Sequence, residues 1–149
     1  MQLNKQTDYA VRVLVYLGSA ADSERCTVSE MSETLGVSAN NLAKIVNRFA
    51  NQGLITTVRG RNGGIQIKRE TLDYPLGELV SMFEPDCELA DCDHANCNLV
   101  EQCGWRDVLA GSREAMIAHM NRYRVRDLLK DRAWLNRVLR PGQSSASPS

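Results

Sequence analysis

The stretch TVSEMSETLGVSANNLAKIVNRFANQGLITTVRGRNGGIQI, residues 27–67, decides the fold. It opens on Thr27-Val28-Ser29-Glu30, a Thr-x-x-Glu capping box, in which hydroxyl and carboxylate each satisfy a free backbone N–H at a helix start. The short helix that follows has Val28, Met31 and Leu35 on its inner face, and Gly36 ends it where the chain must turn. Ser38 caps a further helix from Ala39 to about Gln52, with Leu42, Ile45, Val46 and Phe49 as a buried stripe at i, i+3, i+4, i+7. Two helices joined through Gly36-Val37-Ser38 are the helix-turn-helix arrangement. Leu54–Val58 and Ile65–Ile67 read as two strands. Between them lies Arg59-Gly60-Arg61-Asn62-Gly63-Gly64, where Asn-Gly predicts a hairpin turn with both central residues at positive φ. A hairpin in that position is a wing.

Upstream, Thr7 is placed to cap a first helix over Asp8–Ser19, with Ala10, Val13, Leu14 and Leu17 at helical spacing. Downstream, Pro75–Phe83 reads as a short helix and Glu84–Gly104 as a loop of weak periodicity. From Trp105 a helix of about 20 residues, ~30 Å long, carries Trp105, Val108, Leu109, Ser112, Met116, His119, Met120 and Tyr123 on one stripe. Trp105 reads as its buried anchor. A small domain has too little surface to bury one side of so long a helix, so a second copy of the chain is the simplest cover. Val125–Leu129 and Ala133–Leu139 form a last helical stretch, and residues 141–149, PGQSSASPS, a disordered tail. The expected architecture is mainly α with a small β-hairpin. It divides into a winged helix-turn-helix (1–70), a short helix and cysteine-rich loop (71–104), a dimerisation helix with a C-terminal helical segment (105–140), and the tail.

The formal net charge is zero, yet residues 1–69 carry nine Lys/Arg against five Asp/Glu, residues 70–103 none against nine, and residues 104–149 nine against four. Basic flanks around an acidic middle hide nucleic-acid binding from any whole-chain charge count. The start MQLNKQTDYAVRVLVYLG is interrupted by Asp8 and Arg12 and is not a secretory signal, and no run approaches the ~18 apolar residues of a membrane span. A cytoplasmic protein without membrane contact is expected. There, five cysteines favour metal or redox chemistry over a disulfide framework.

Two constellations carry chemistry. On the second helix of the helix-turn-helix, Asn40, Asn41 and Lys44 stand near the N-terminus that usually enters the major groove, and Arg48 continues the same polar face. Asn suits adenine edges, and Lys and Arg suit guanine or phosphate. Arg59 and Arg61 at the wing tip are placed for the minor groove or for phosphate. The second constellation is Cys92, Cys97 and Cys103, spaced C-x4-C-x5-C in the acidic loop. Thiolates suit iron–sulfur clusters and zinc. A 4Fe–4S core needs four ligands; Cys87, His94 and Asp8 are the candidates for the fourth. The neighbouring acids Glu84, Asp86, Glu88, Asp91 and Asp93 read as solvated. If Cys87 joined the other three, a structural zinc site would result. Cys26 reads as a small core or surface residue. No Gly-rich phosphate loop after a strand, paired-His motif or C-x2-C pair is present, so the sequence does not read as that of an enzyme.

The start MQLNKQTDYAVR, the segment GVSANNLAKIVNRFANQGLITTVRGRNGGI and the cysteine trio together resemble the Rrf-type winged-helix repressors, over about residues 1–140. The resemblance implies a homodimer on palindromic promoter DNA that holds an iron–sulfur cluster, more fittingly 4Fe–4S than 2Fe–2S. Cys92, Cys97 and Cys103 match the family's cluster thiolates, and Asp8 matches a carboxylate that completes the cluster from the partner subunit. The four-residue first gap, with no histidine after Cys103 until His119, resembles the nitric-oxide-sensitive members rather than the regulators of iron–sulfur biogenesis.

Overall fold

The computed structural model describes residues 2–84, 89–90 and 97–142. Of the tail expected over residues 141–149, residues 143–149 lie outside them. Helices α1 (Lys5–Ser19), α2 (Val28–Leu35) and α3 (Ala39–Asn51) lead into strands β1 (Ile55–Val58) and β2 (Gly64–Ile67), followed by α4 (Leu76–Phe83), α5 (Gly104–Met120) and α6 (Arg132–Leu139). The fold is the expected one, mainly helical with one antiparallel hairpin. Short 3-10 turns at Arg69–Asp73, Val100–Gln102 and Val125–Leu129 complete it; the last belongs to the expected C-terminal helical stretch.

One core holds the first eighty residues together. Ala10, Val13, Leu14 and Leu17 of α1 meet Met31 of α2 and Leu42, Ile45 and Phe49 of α3, all of them buried. Phe49 lies edge-on to Phe83 of α4, with ring centroids 5.8 Å apart. Burying each such side chain contributes about 1.5–3 kcal/mol. The capping box forms as expected at Thr27 and Glu30, Gly36 takes the left-handed conformation at φ 63°, and Ser38 caps α3.

Two turn assignments differ from expectation. Asn4, not Thr7, caps α1: its side-chain oxygen accepts from the Thr7 N–H at 3.0 Å, and the helix begins at Lys5. Thr7 is already helical, and its hydroxyl is committed to Glu84. In the wing, Asn62-Gly63 does not adopt positive φ; Gly60 (φ 106°) and Gly64 (φ 148°) do. Val58 pairs with Gly64, so residues 59–63 form the loop, closed by the Gly63 N–H donating to the Gly60 carbonyl at 2.9 Å. A loop of that length has no need of the two-residue turn that Asn-Gly favours. On its outer side β2 gains a further partner: Ile65 exchanges both backbone hydrogen bonds with Cys26, at 2.8 and 2.9 Å.

α4 and α5 are clasped end to end. Asn121, just past α5, accepts from the Glu78 N–H at 3.0 Å and so caps α4, which has no side-chain cap of its own. The Leu76 N–H donates to the Tyr123 carbonyl and the Val125 N–H to the Tyr74 carbonyl, at 3.0 and 3.1 Å. At about 1.5 Å per residue, α4 with 8 residues spans ~12 Å and α5 with 17 spans ~25 Å, so α4 covers no more than half of α5. This corrects two expectations. Trp105 is 62% exposed within the protomer rather than a buried anchor, and Val108 is 55% exposed. Tyr123 lies beyond the helix end, and no residue of α5 is buried. Among the described residues no helix is long and apolar enough to cross a membrane.

The clasp depends on Gly77. A Cβ there would stand 2.5 Å from the Ile117 carbonyl oxygen and against the Asn121 amide. Gly77→Ala is expected to cost about 1–3 kcal/mol in urea unfolding, because a backbone carbonyl has no room to yield. Unchanged stability would show that the two helices part freely.

Candidate functional site

The basic face is assembled from α3 and the wing. Ser38 closes the first turn of α3, which carries no acidic residue, and leaves its positive end facing outward with Asn40 and Lys44 exposed. Asn40, Lys44 and Arg48 follow at i, i+4 and i+8 and share one side of the helix. Asn41 is half-buried, and its side-chain oxygen accepts from the Gln6 amide of α1 at 3.5 Å. Arg48 is exposed, but its guanidinium lies 4.9 Å above the Phe83 ring, which ties it to the end of α4. Arg59 and Arg61 are exposed at the wing loop. That loop is steadied by Arg25, which donates from Nη1 to the Asn62 carbonyl at 2.9 Å. Gln6 and Arg25 gave no signal in the sequence, because each makes one contact across more than thirty residues.

Asp8 is exposed on the first turn of α1 and pairs with Arg12 one turn later at 2.8 Å. Both groups are about half exposed, which limits the pair to roughly 0–1 kcal/mol. Both line a groove of about 830 Å³ whose apolar walls include Leu3, Val11, Leu79, Val80 and Met120.

Of the cysteine trio, Cys97 is exposed and Cys103 half-buried, both as free thiols; Cys92 lies outside the described residues, as do the alternatives Cys87 and His94. Cys103 is the N-cap residue of α5, and its own side chain makes no capping hydrogen bond there. A helix N-terminus favours the negative charge of a thiolate–metal assembly. With the soft sulfur donors, this fits an iron–sulfur cluster or zinc. Among the described residues no three His, Cys, Asp or Glu side chains gather at metal-binding distance, so Asp8 does not meet Cys97 and Cys103 within one protomer. Cys26 stands apart: burial pushes its thiol up to about 11, and Arg140 beside it opposes the shift.

The root of the cysteine segment is latched to α1. Glu84, read from sequence as a solvated acid, is half-buried; its Oε1 accepts from the Asn4 N–H at 2.7 Å and from the Thr7 hydroxyl at 2.5 Å. The Asn4 amide in turn donates to the Phe83 carbonyl at 2.7 Å. One short stretch, Phe83-Glu84, therefore touches the helix that carries Asp8 and, through the Phe83 ring, the helix that carries Lys44 and Arg48.

Known proteins place this arrangement. Residues 3–131 match the Rrf2 family model, described as an iron-dependent transcriptional regulator. Among solved structures, the global cysteine regulator CymR of B. subtilis superposes with a TM-score of 0.64 at 16% identity, covering 86% of this chain and 95% of that one. The oxidised form of Staphylococcus aureus CymR gives 0.70 at 18% identity, covering 87% and 97%. T. potens IscR gives 0.66 at 16% identity, covering 100% and 94%. Such identities carry the fold alone, whereas the family model spans most of the sequence. The chain belongs to the Rrf2 family of transcriptional regulators.

Proposed function

We propose that the protein is a cytoplasmic, homodimeric repressor of the nitric-oxide-sensitive type, resembling NsrR, which binds a palindromic promoter and is regulated through an iron–sulfur cluster. The observation that carries this reading is Cys103: it stands at the N-cap of a helix with no buried residue, so the thiol segment adjoins the surface that needs a partner. Cys92, Cys97 and Cys103 hold the cluster, and Asp8 of the partner subunit is the fourth ligand. When bound, a 4Fe–4S cluster supplies iron that reacts with nitric oxide.

The remaining steps belong to the chain. Asn40, Asn41, Lys44 and Arg48 face the major groove, and Arg59 and Arg61 contact phosphate or the adjacent minor groove. In the dimer the two α3 helices meet grooves about one turn apart, ~34 Å. Release of the cysteine segment pulls on Glu84, and with it on Asn4, Thr7 and the Phe83–Arg48 contact. The orientation of α3 against the DNA changes as a result.

Anaerobically purified protein is expected to be brown and to contain iron and sulfide. Cys97→Ser and Cys103→Ser should lose the colour and, with it, the effect of nitric oxide on promoter binding. A colourless protein containing zinc would replace the sensor by a structural metal site. On a promoter fragment selected by the protein itself, Lys44→Ala and Arg59→Ala should each lower the log–log salt slope of binding by about 1 per subunit contact. An unchanged slope for both variants would remove these residues from the DNA face.

A further inference from the structure

Arg140 is the most unusually placed charge among the described residues. It ends α6, beyond the residues matched by the family model, and is only 7% exposed. A guanidinium is seldom buried unless paired. Here Nη2 donates to the Tyr16 carbonyl at 3.0 Å and to Cys26 Sγ at 3.1 Å, Nη1 faces Glu24 Oε2 at 3.4 Å, and the plane stacks 4.4 Å above the Tyr16 ring. Arg132, at the other end of α6, donates to the Ala20 carbonyl at 2.6 Å. α1 has no basic residue in its last turn, so these two arginines bring positive charge to its C-terminal carbonyls.

The second half of the argument is what Cys26 does. Its backbone exchanges two hydrogen bonds with Ile65 of β2, and its neighbour Arg25 holds the Asn62 carbonyl in the wing loop. The Cβ of Arg25 lies so close under Gly64 that a Cβ there would stand 2.9 Å away. The wing thus rests on residues 25–26, and residues 24 and 26 are gripped by Arg140. The thiol stays neutral because of its burial, so the grip on Cys26 is a hydrogen bond to sulfur rather than an ion pair; Glu24 supplies the opposite charge.

We infer that Arg140 is a positioning residue for the wing: through Tyr16, Glu24 and Cys26 it fixes the strand edge on which β2 hangs, and so sets where Arg59 and Arg61 stand. Nothing in the side chain of Arg140 needs to touch DNA. The inference builds on the proposed DNA-binding role of the wing, and its first readout does not require DNA.

The test is amide hydrogen exchange on the full-length protein. Arg140→Met keeps the stem and loses every donor; Arg140→Lys keeps the charge and loses the planar fork. Exchange at Cys26 and Ile65 is expected to accelerate about tenfold or more in Arg140→Met, with α3 and α5 unchanged, and to be partly restored in Arg140→Lys. If Arg140→Met does not fold, Arg140→Lys alone should show a smaller acceleration confined to the same two residues. The second readout is affinity for a random-sequence duplex of about three helical turns at low salt. Removing Arg59 and Arg61 together should weaken binding less in the Arg140→Met background than in the native one. Exchange that is unchanged at Cys26 and Ile65, or accelerated evenly across the chain, would overturn the inference, as would fully additive losses in affinity. If the native protein bound no duplex while local exchange responded as described, the anchoring would stand and the DNA-binding reading would fall.

Discussion

The structure depends on one helix being held at both ends. The apolar stripe of α1 supplies the centre of the core, with Ala10, Val13 and Leu14 fully buried. Its N-terminus is fastened by Asn4 and Thr7 to the Phe83-Glu84 stretch that leads into the cysteine segment. Its C-terminus is fastened by Arg132 and Arg140 to the last helix. Because α2, α3, α4 and β2 all pack against α1, a displacement of either end is felt by the elements that carry the basic face.

In the proposed function, two chemistries share this one small chain. The acidic, thiol-bearing segment and the basic α3 face are separated in sequence, so their charges do not interleave. At the root of that segment, Glu84 and Phe83 reach α1 through polar contacts to Asn4 and Thr7, and the Phe83 ring reaches α3 at Phe49 and Arg48. Packed cores shift between discrete arrangements rather than deforming smoothly, which is how the proposed switch passes a small change at this latch to α3. The overhang of α5 belongs to the same design. Trp105 and Val108 of α5 are exposed in the protomer, and in the proposed dimer a second copy covers them next to Cys103.

Local chemistry was legible wherever its determinants lie within a few residues. The Thr27–Glu30 capping box, Gly36 at the end of α2, Ser38 at the start of α3 and the buried stripe of α3 all appear as their spacing indicates. Where local signals compete, distant contacts decide between them. Thr7 and Asn4 are both good caps, and the choice fell to Asn4 because a carboxylate 77 residues away engages the Thr7 hydroxyl. Asn62-Gly63 is a sound turn signal, overruled because the register Val58↔Gly64 sets a longer loop. Trp105 is apolar enough to be buried, and periodicity alone does not say whether the covering surface belongs to the same chain.

The sequence by itself determined the order of helices and strands, the basic character of α3 and the wing, and the grouping of thiols in an acidic segment, since each follows from residue types and spacings along a short piece of backbone. Only the tertiary structure decided which polar groups pair across the chain: Glu84 with Asn4 and Thr7, Gln6 with Asn41, Arg25 with the wing loop, and Arg140 with Tyr16, Glu24 and Cys26. Such pairings join residues from 35 to 124 positions apart. They become favourable only after the core has brought α1 against its neighbours and removed water from between them, and no local pattern of residues records that event.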